Sequence, residues 1–184
     1  TYPIDGLVLK YNSLALREQL GYTSKAPRYA VSYKFASLEE FTTLRDVVWQ
    51  VGKNGQVTPV AIYDTITIDN VDLSRATLHN YQFIQDQNLQ IGSRIVVARA
   101  NDVIPKVIKA ISEGTEPILL PTNCPECNAE VKLQGANAYC LNEECPAQLI
   151  EKIIHFCSRD AMNIEGMGEV NVKNFFRQGF INTP

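Results

Sequence analysis

Four of the five cysteines crowd into 22 residues, Cys124-x2-Cys127-x12-Cys140-x4-Cys145, and none precedes residue 124. Two ligand pairs, each with short internal spacing and separated by a hairpin-length gap, are what a tetrahedral Zn2+ requires. Thiolates are soft donors that favour zinc over magnesium. The uneven placement and odd count argue against a secreted disulfide framework and for a metal knot in an intracellular protein. With cysteine at every position, no coordination site is left for a catalytic water. Such a metal folds its segment, contributing on the order of 10–16 kcal/mol in a small finger, and does no chemistry. Gly135 and Asn137 are the expected turn between the two pairs. Cys157 lies on an apolar helical face and is expected in a core, with His155 beside it a weaker candidate ligand.

The rest of the composition narrows the class. In 184 residues, 45% are apolar and 20% charged, as in ordinary soluble globular chains. No apolar run approaches the length of a membrane-spanning helix, and no basic stretch leads into an apolar core as in a signal peptide. The net charge of −3 is not that of a bulk nucleic-acid binder. It is unevenly spread, however. Residues 1–36 carry five positive and two negative side chains, whereas residues 37–122 and 123–184 each carry a surplus of three acids. An anionic ligand is therefore most plausible in the first block.

Hydrophobic periodicity orders the chain into segments. Residues 4–10 and 29–35 read as strands, joined by a polar connection in which residues 14–20 make a short helix. Phe41 to Val51, Val57 to Tyr63, Ile66 to Val71, a strand opened by Gly92, and Val103 to Ile111 are five further strand candidates. Gly52-Lys53-Asn54-Gly55 is the first turn, with the Asn-Gly pair supplying positive φ. Thr77 to Gln87 is a helical candidate, and Pro105 marks an edge, bulge or break. About five strands and one short helix in some 75 residues point to a small closed barrel, with the OB type preferred to an SH3-like one. From Ala147 the period becomes helical; one helix ends near Arg159 and another starts after Gly168. The chain opens almost inside a strand and stops at what looks like the exit of an element, so the expectation is a module from a longer protein.

Several charged residues sit on or beside apolar strands. Charges rarely bury unless paired or met by a ligand. Lys10, Lys34 and Asp5 could therefore line a cleft for a phosphate and its metal or ribose, the alternative being that they pair with one another or face solvent. Lys53 sits at the barrel turn, and Arg94, Arg99, Lys106 and Lys109 surround the later strands. Basic projections on a curved barrel suit a phosphate backbone, provided they are segregated from the local acidic surplus. His79 and Asn80 are expected to start a helix rather than catalyse. In Ile164-Glu165-Gly166-Met167-Gly168, the glycines and the following helix N-terminus match a helix-hairpin-helix turn able to hold a DNA phosphate.

Taken in order, these segments resemble the bacterial NAD-dependent DNA ligases. Residues 4–10 resemble nucleotidyltransferase motif IV and residues 29–35 motif V. Residues 50–61, 76–80 and 99–105 are similar to the family's OB domain, the cysteines to its zinc finger, and residues 160–168 to the start of its helix-hairpin-helix domain. The resemblance implies a multidomain, mainly β architecture. Its parts would be the C-terminal part of an adenylation domain over 1–36, an OB-fold barrel over 37–122, a four-cysteine zinc finger over 123–146 and the beginning of an α-helical hairpin domain over 147–184.

The same resemblance implies sealing of 5′-phosphate/3′-hydroxyl nicks in duplex DNA during replication and repair. NAD would be the AMP donor, Mg2+ or Mn2+ the accompanying ion, zinc a structural metal, and the protein a cytoplasmic monomer with no membrane partner. Asp5, Lys10 and Lys34 would be catalytic, the two lysines also binding the nucleotide. Cys124, Cys127, Cys140 and Cys145 would hold zinc, and Lys53, Arg99, Gly166 and Gly168 would contact DNA. Departures are Pro3, where the family commonly has an acid, and Lys53, where arginine with its bidentate fork is frequent. The family's Lys-x-Asp-Gly motif, bearing the adenylated lysine, does not occur in these residues, so they are expected to be inactive alone. The competing reading is a non-catalytic OB and zinc-finger module that binds DNA. An ATP-dependent ligase or capping-type enzyme is disfavoured by the finger followed by a helical hairpin. A purely structural zinc protein leaves the strand lysines unexplained.

Overall fold

The structure is a computed structural model that describes residues 4, 6–35, 38–99 and 105–184. The chain begins with an antiparallel pair, β1 (Gly6–Lys10) and β2 (Ala30–Lys34), connected through helix α1 (Leu14–Leu20). Ser13 caps α1 by accepting a hydrogen bond from the Leu16 amide, and Gly21, at φ +62°, ends it. Register pairs Gly6 with Lys34 and Lys10 with Ala30. A side chain on Gly6 would strike the Tyr33 carbonyl at 2.6 Å, so glycine is what lets the strands approach here. Neither face of the pair is covered: Leu9, Val31 and Val8 remain more than 60% exposed. An isolated two-stranded pair is marginal in water, so this element has no core of its own among the described residues.

The barrel follows. Strands β3 (Leu38–Val51), β4 (Gln56–Ile68) and β5 (Val71–Thr77) form a meander, then helix α2 (Tyr81–Asp86) intervenes. After β6 (Gln90–Ile91) come β7 (Arg94–Arg99) and β8 (Lys106–Ala110). β3 pairs with β4, β4 with β5, β5 in parallel with β8, β8 with β7, and β7 with β3. The ring closes, which removes the open edges of a sheet and gives the five-stranded OB topology. Irregularities between Leu44 and Asp46 and between Ile62 and Ile66 bend the two long strands around it. Alternation along β4 places Val57, Pro59, Ala61 and Tyr63 inward. The barrel is filled by Leu44, Ala61, Leu78, Ile95, Val97 and Val107, and α2 adds Ile84 to one end. Asn80 starts α2 by accepting from the Phe83 amide at 2.9 Å.

Three local expectations shift. Thr77 belongs to β5, and the helix begins only at Tyr81. Strand β4 runs unbroken to Ile68, and the actual turn is Asp69-Asn70, with both residues at positive φ (51° and 58°), the backbone of a type I′ hairpin. In Gly52-Lys53-Asn54-Gly55 only Gly55 has positive φ (+77°), and its amide donates to the Gly52 carbonyl at 2.9 Å. Asn54 is an ordinary turn residue, and Gly55 carries the strain-prone position.

A short strand β9 (Glu116–Pro117) pairs with β6, and the chain enters the cysteine segment. Strands β10 (Val131–Gln134) and β11 (Asn137–Cys140) make a hairpin whose turn is Gly135-Ala136, with Gly135 at φ +61°. Asn137 opens β11 and takes no part in the turn. Strand β11 pairs with β4, Ala138 opposite Val57 and Tyr139 opposite Gln56, so the cysteine hairpin extends the barrel sheet. Val51, Val57, Val131 and Ala138 form a second core with three of the cysteines. Helices α3 (Pro146–Cys157) and α4 (Glu169–Arg177) close on each other through Ile153, Cys157 and Val172. Cys157 is thus a core residue, as its place on the apolar face predicts. No helix among the described residues is long and apolar enough to cross a membrane.

Candidate metal centre and nucleic-acid face

The sulfurs of Cys124, Cys127, Cys140 and Cys145 all lie within 4.8 Å of one another. Cys124 and Cys145 are 4.0 Å apart and Cys127 and Cys140 3.6 Å. Thiolates about 2.3 Å from a tetrahedral zinc stand about 3.8 Å from each other, so the four fit that ion. Local backbone produces the arrangement. The turn after Cys124 is closed by the Asn128 amide donating to the Cys124 carbonyl, with Asn128 in the left-handed region at φ +59°. This turns the Ala129 amide onto Cys127, whose thiol falls to about 6 chiefly for that reason. Cys145 stands at the N-cap of α3, with Pro146 following it. Burial pushes its thiol up to about 12, while the amides of Gln148 and Ala147 pull the other way without forming a geometric cap bond. Burial likewise raises Cys140. A cation among four such thiols relieves the cost of ionising the buried ones.

Beyond the β11–β4 pairing, the metal knot is fastened to the barrel at the Gly55 turn. The Cys140 amide donates to the Gly55 carbonyl at 2.8 Å. Gln148, on the first turn of α3 and only 4% exposed, donates from Nε2 to the carbonyls of Cys140 (3.1 Å) and Asn142 (2.8 Å). A side chain on Gly55 would meet the Cys140 carbonyl at 2.6 Å and Gln148 Nε2 at 2.9 Å. Lys53 stands on the exposed tip of this turn and lines a cavity of about 470 Å3 with Cys140, Gln148 and Lys152. Sequence reasoning singled out Lys53, and Gly55 only as a turn residue, but not Gln148 or Lys152. The only available signal was the polar Gln148 inside an apolar helical stripe.

The other candidates fall in three places. Lys10 and Lys34 end β1 and β2, and register puts both on the hairpin face that also carries Val8 and Ser32. Lys34 faces Gly6, four residues from Lys10, so the two Cα atoms stand about 14 Å apart at 3.4 Å per residue. Neither lysine has an ion-pair partner among the described residues. Asp5 lies outside the described residues. Arg99 ends β7, immediately before residues that also lie outside them. Arg94, Lys106 and Lys109 pair with Thr43, Ala98 and Val96, which places all three on the outer surface of the barrel, with the Arg94 guanidinium 5.9 Å from the Phe41 ring centroid.

Gly166 and Gly168 flank the turn into α4. Gly166 has φ +78°, which explains its identity, whereas Gly168 has φ −74° as the N-cap. A side chain at either would meet nothing within 4 Å. The space beside both glycines is therefore open. His79, at φ +61°, has its Nε2 3.3 Å from the Val107 carbonyl and its ring against Phe83, a structural place at the start of α2.

A closed OB barrel, joined through its own sheet to a four-cysteine metal site and continued by a helical hairpin, defines a modular metal-stabilised OB-fold protein. The family is narrower. Residues 41–117 match the model of the NAD-dependent DNA ligase OB-fold domain, and residues 1–38 that of the NAD-dependent DNA ligase adenylation domain. Among curated proteins, the chain is 45% identical over 98% of its length to a DNA ligase of Halalkalibacterium halodurans, and 46% identical over 98% to one of Sulfurihydrogenibium azorense. A DNA ligase of Oceanobacillus iheyensis is 42% identical over the whole chain. The alignments cover 28%, 26% and 28% of those relatives, so the chain spans little more than a quarter of their length. The chain belongs to the NAD-dependent DNA ligase family.

Proposed function

We propose that this chain forms part of an enzyme that seals nicks between a 5′-phosphate and a 3′-hydroxyl in duplex DNA. In this reading a lysine amine outside these residues attacks the α-phosphate of NAD, forming a phosphoramidate to AMP and releasing nicotinamide mononucleotide. The AMP passes to the 5′-phosphate, and the 3′-hydroxyl then displaces it. The observation that carries the reading is the shared face of Lys10 and Lys34, on the segment that matches the adenylation domain. Two cations on one strand face can bracket a nucleotide and stabilise charge as it builds on the transferring phosphate. That neither is ion-paired among the described residues is consistent with such a role. Asp5 is the proposed carboxylate of that cleft and the expected partner of Mg2+ or Mn2+. The four thiols would hold zinc, which supplies structural rigidity.

DNA is proposed to lie along the barrel and hairpin, met by Lys53, Arg99 and the turn of Gly166 and Gly168. The domain limits drawn from the sequence, a cytoplasmic site of action and a monomeric state belong to the same proposal. The test is fluorescence anisotropy of the zinc-loaded chain against nicked and intact forms of one duplex, at fixed salt. Tighter binding to the nick supports the ligase reading; equal affinity for both favours a DNA-binding module that reads only the backbone. The chain by itself should form no lysine-AMP adduct. A gain of one AMP in intact mass after incubation with NAD would contradict that expectation.

A further inference from the structure

We propose that Gln148 is a positioning residue that ties the four-cysteine site to the β3–β4 turn, so that metal occupancy sets how Lys53 is presented to DNA. The inference rests on the DNA reading above, but its metal half stands without it. Gln148 is a buried polar side chain, and such a group costs stability unless its donors are met. Both bonds from its Nε2 go to carbonyls of the Cys140–Cys145 segment, one of them on a metal ligand. Helix α3, which carries Gln148, starts at Cys145, the other ligand of that pair. One residue thus braces the loop between the two ligands of the second pair.

The same amide end also faces the barrel turn. Gly55 leaves no room for a Cβ between itself, the Cys140 carbonyl and Gln148 Nε2, and its carbonyl accepts the Cys140 amide. Lys53 is two residues away on that turn and shares a cavity with Cys140 and Gln148. Displacement of the Cys140 backbone on metal loss therefore bears directly on the backbone that carries Lys53. Partners one shell beyond the ligands commonly contribute 10–100-fold to metal affinity. If metal strengthens DNA binding, DNA must strengthen metal binding by the same factor.

The experiment compares the wild-type chain with Gln148→Met, which keeps length and apolar bulk but removes both donors, and with Lys53→Ala. Zinc affinity is measured by competition with a chromophoric chelator, and the thiolate site is read from the absorption spectrum of the Co2+-loaded chain. Both are repeated with and without a nicked duplex. In the wild type, the duplex should tighten zinc and zinc should tighten the duplex by equal factors. Gln148→Met should lose about 10-fold or more in zinc affinity, alter the Co2+ spectrum and abolish the mutual effect. Lys53→Ala should keep zinc affinity and spectrum while losing the mutual effect, which separates presentation of the lysine from damage to the site. Unchanged zinc affinity and an unchanged spectrum in Gln148→Met would overturn the metal half. A mutual effect that persists in both variants would overturn the coupling. A wild-type chain that binds no duplex with metal loaded would refute the DNA reading and the coupling together, while the affinity and spectral comparison would still decide the role of Gln148 at the metal.

Discussion

Tyr63 shows how one atom can work against its surroundings. Its ring fills the barrel, yet the buried hydroxyl has no hydrogen-bond partner among the described residues, and burial raises its pKa to about 12 from an ordinary value of 10.0. An unmet buried polar group costs about 1–3 kcal/mol, so Tyr63→Phe should raise stability by about 1 kcal/mol in urea denaturation at neutral pH. The sign of its pH dependence follows from linkage. Between pH 10 and 12 the unfolded chain releases this proton and the folded chain retains it, so the contribution of Tyr63 falls as pH rises through that window. Stability of Tyr63→Phe should decline less steeply there. Asn80 works in the opposite sense, since its side chain meets an otherwise unpaired amide at the start of α2. Asn80→Ala should cost about 1 kcal/mol, measured by the same denaturation.

Elements differ in what holds them. The barrel has a core of aliphatic side chains independent of the cysteines, including Leu44, Ile95 and Val107 at zero exposure. The β10–β11 hairpin buries only Val131, Ala138 and Cys140, in a small core completed by Cys124 and Cys145. Removing zinc from the loaded chain with a chelator should therefore release hydrogen-exchange protection in β10, β11 and the first turn of α3. Amides of β4, β5 and β7 within the barrel should remain protected. Simultaneous loss in both regions would show that the junction at Gly55 carries more of the barrel's stability than its own core does. Helices α3 and α4 form a third unit around Ile153, Cys157 and Val172.

At the scale of the molecule, the sheet of the barrel runs on through β4 into β11, so metal knot and barrel share backbone hydrogen bonds and not only a surface. The β1–β2 pair instead leaves large apolar side chains exposed on both faces. Within a chain of overall charge −3, backbone binding must rely on locally grouped cations. Lys53→Ala should weaken binding to duplexes of any sequence and reduce the slope of log affinity against log salt by about 1, as loss of one phosphate contact requires. Titrations at several salt concentrations would measure it; an unchanged slope would remove Lys53 from the interface.

Much of this was legible beforehand for identifiable reasons. Cysteine spacing specified the metal site because thiolates at two short intervals have few other uses, and the apolar, β-branched run from Val57 to Tyr63 after a glycine turn specified a strand, though not which of its faces is buried. Residues 14–20 were legible as a short helix, whereas the cap that Ser13 supplies to it was seen only in the structure. Positive φ at Asn128 and at Asp69-Asn70 was less visible, because these side chains also occupy ordinary backbone regions. The strand pairings that close the ring, the common face of Lys10 and Lys34, and the meeting of Gly55, Cys140 and Gln148 were decided only in three dimensions. Composition and period describe which groups prefer burial or a turn, and those preferences act over a few residues. Contacts such as Gln56 with Asn137, 81 positions apart, depend on strand register and on the free energy of the whole packed molecule, which no local pattern encodes.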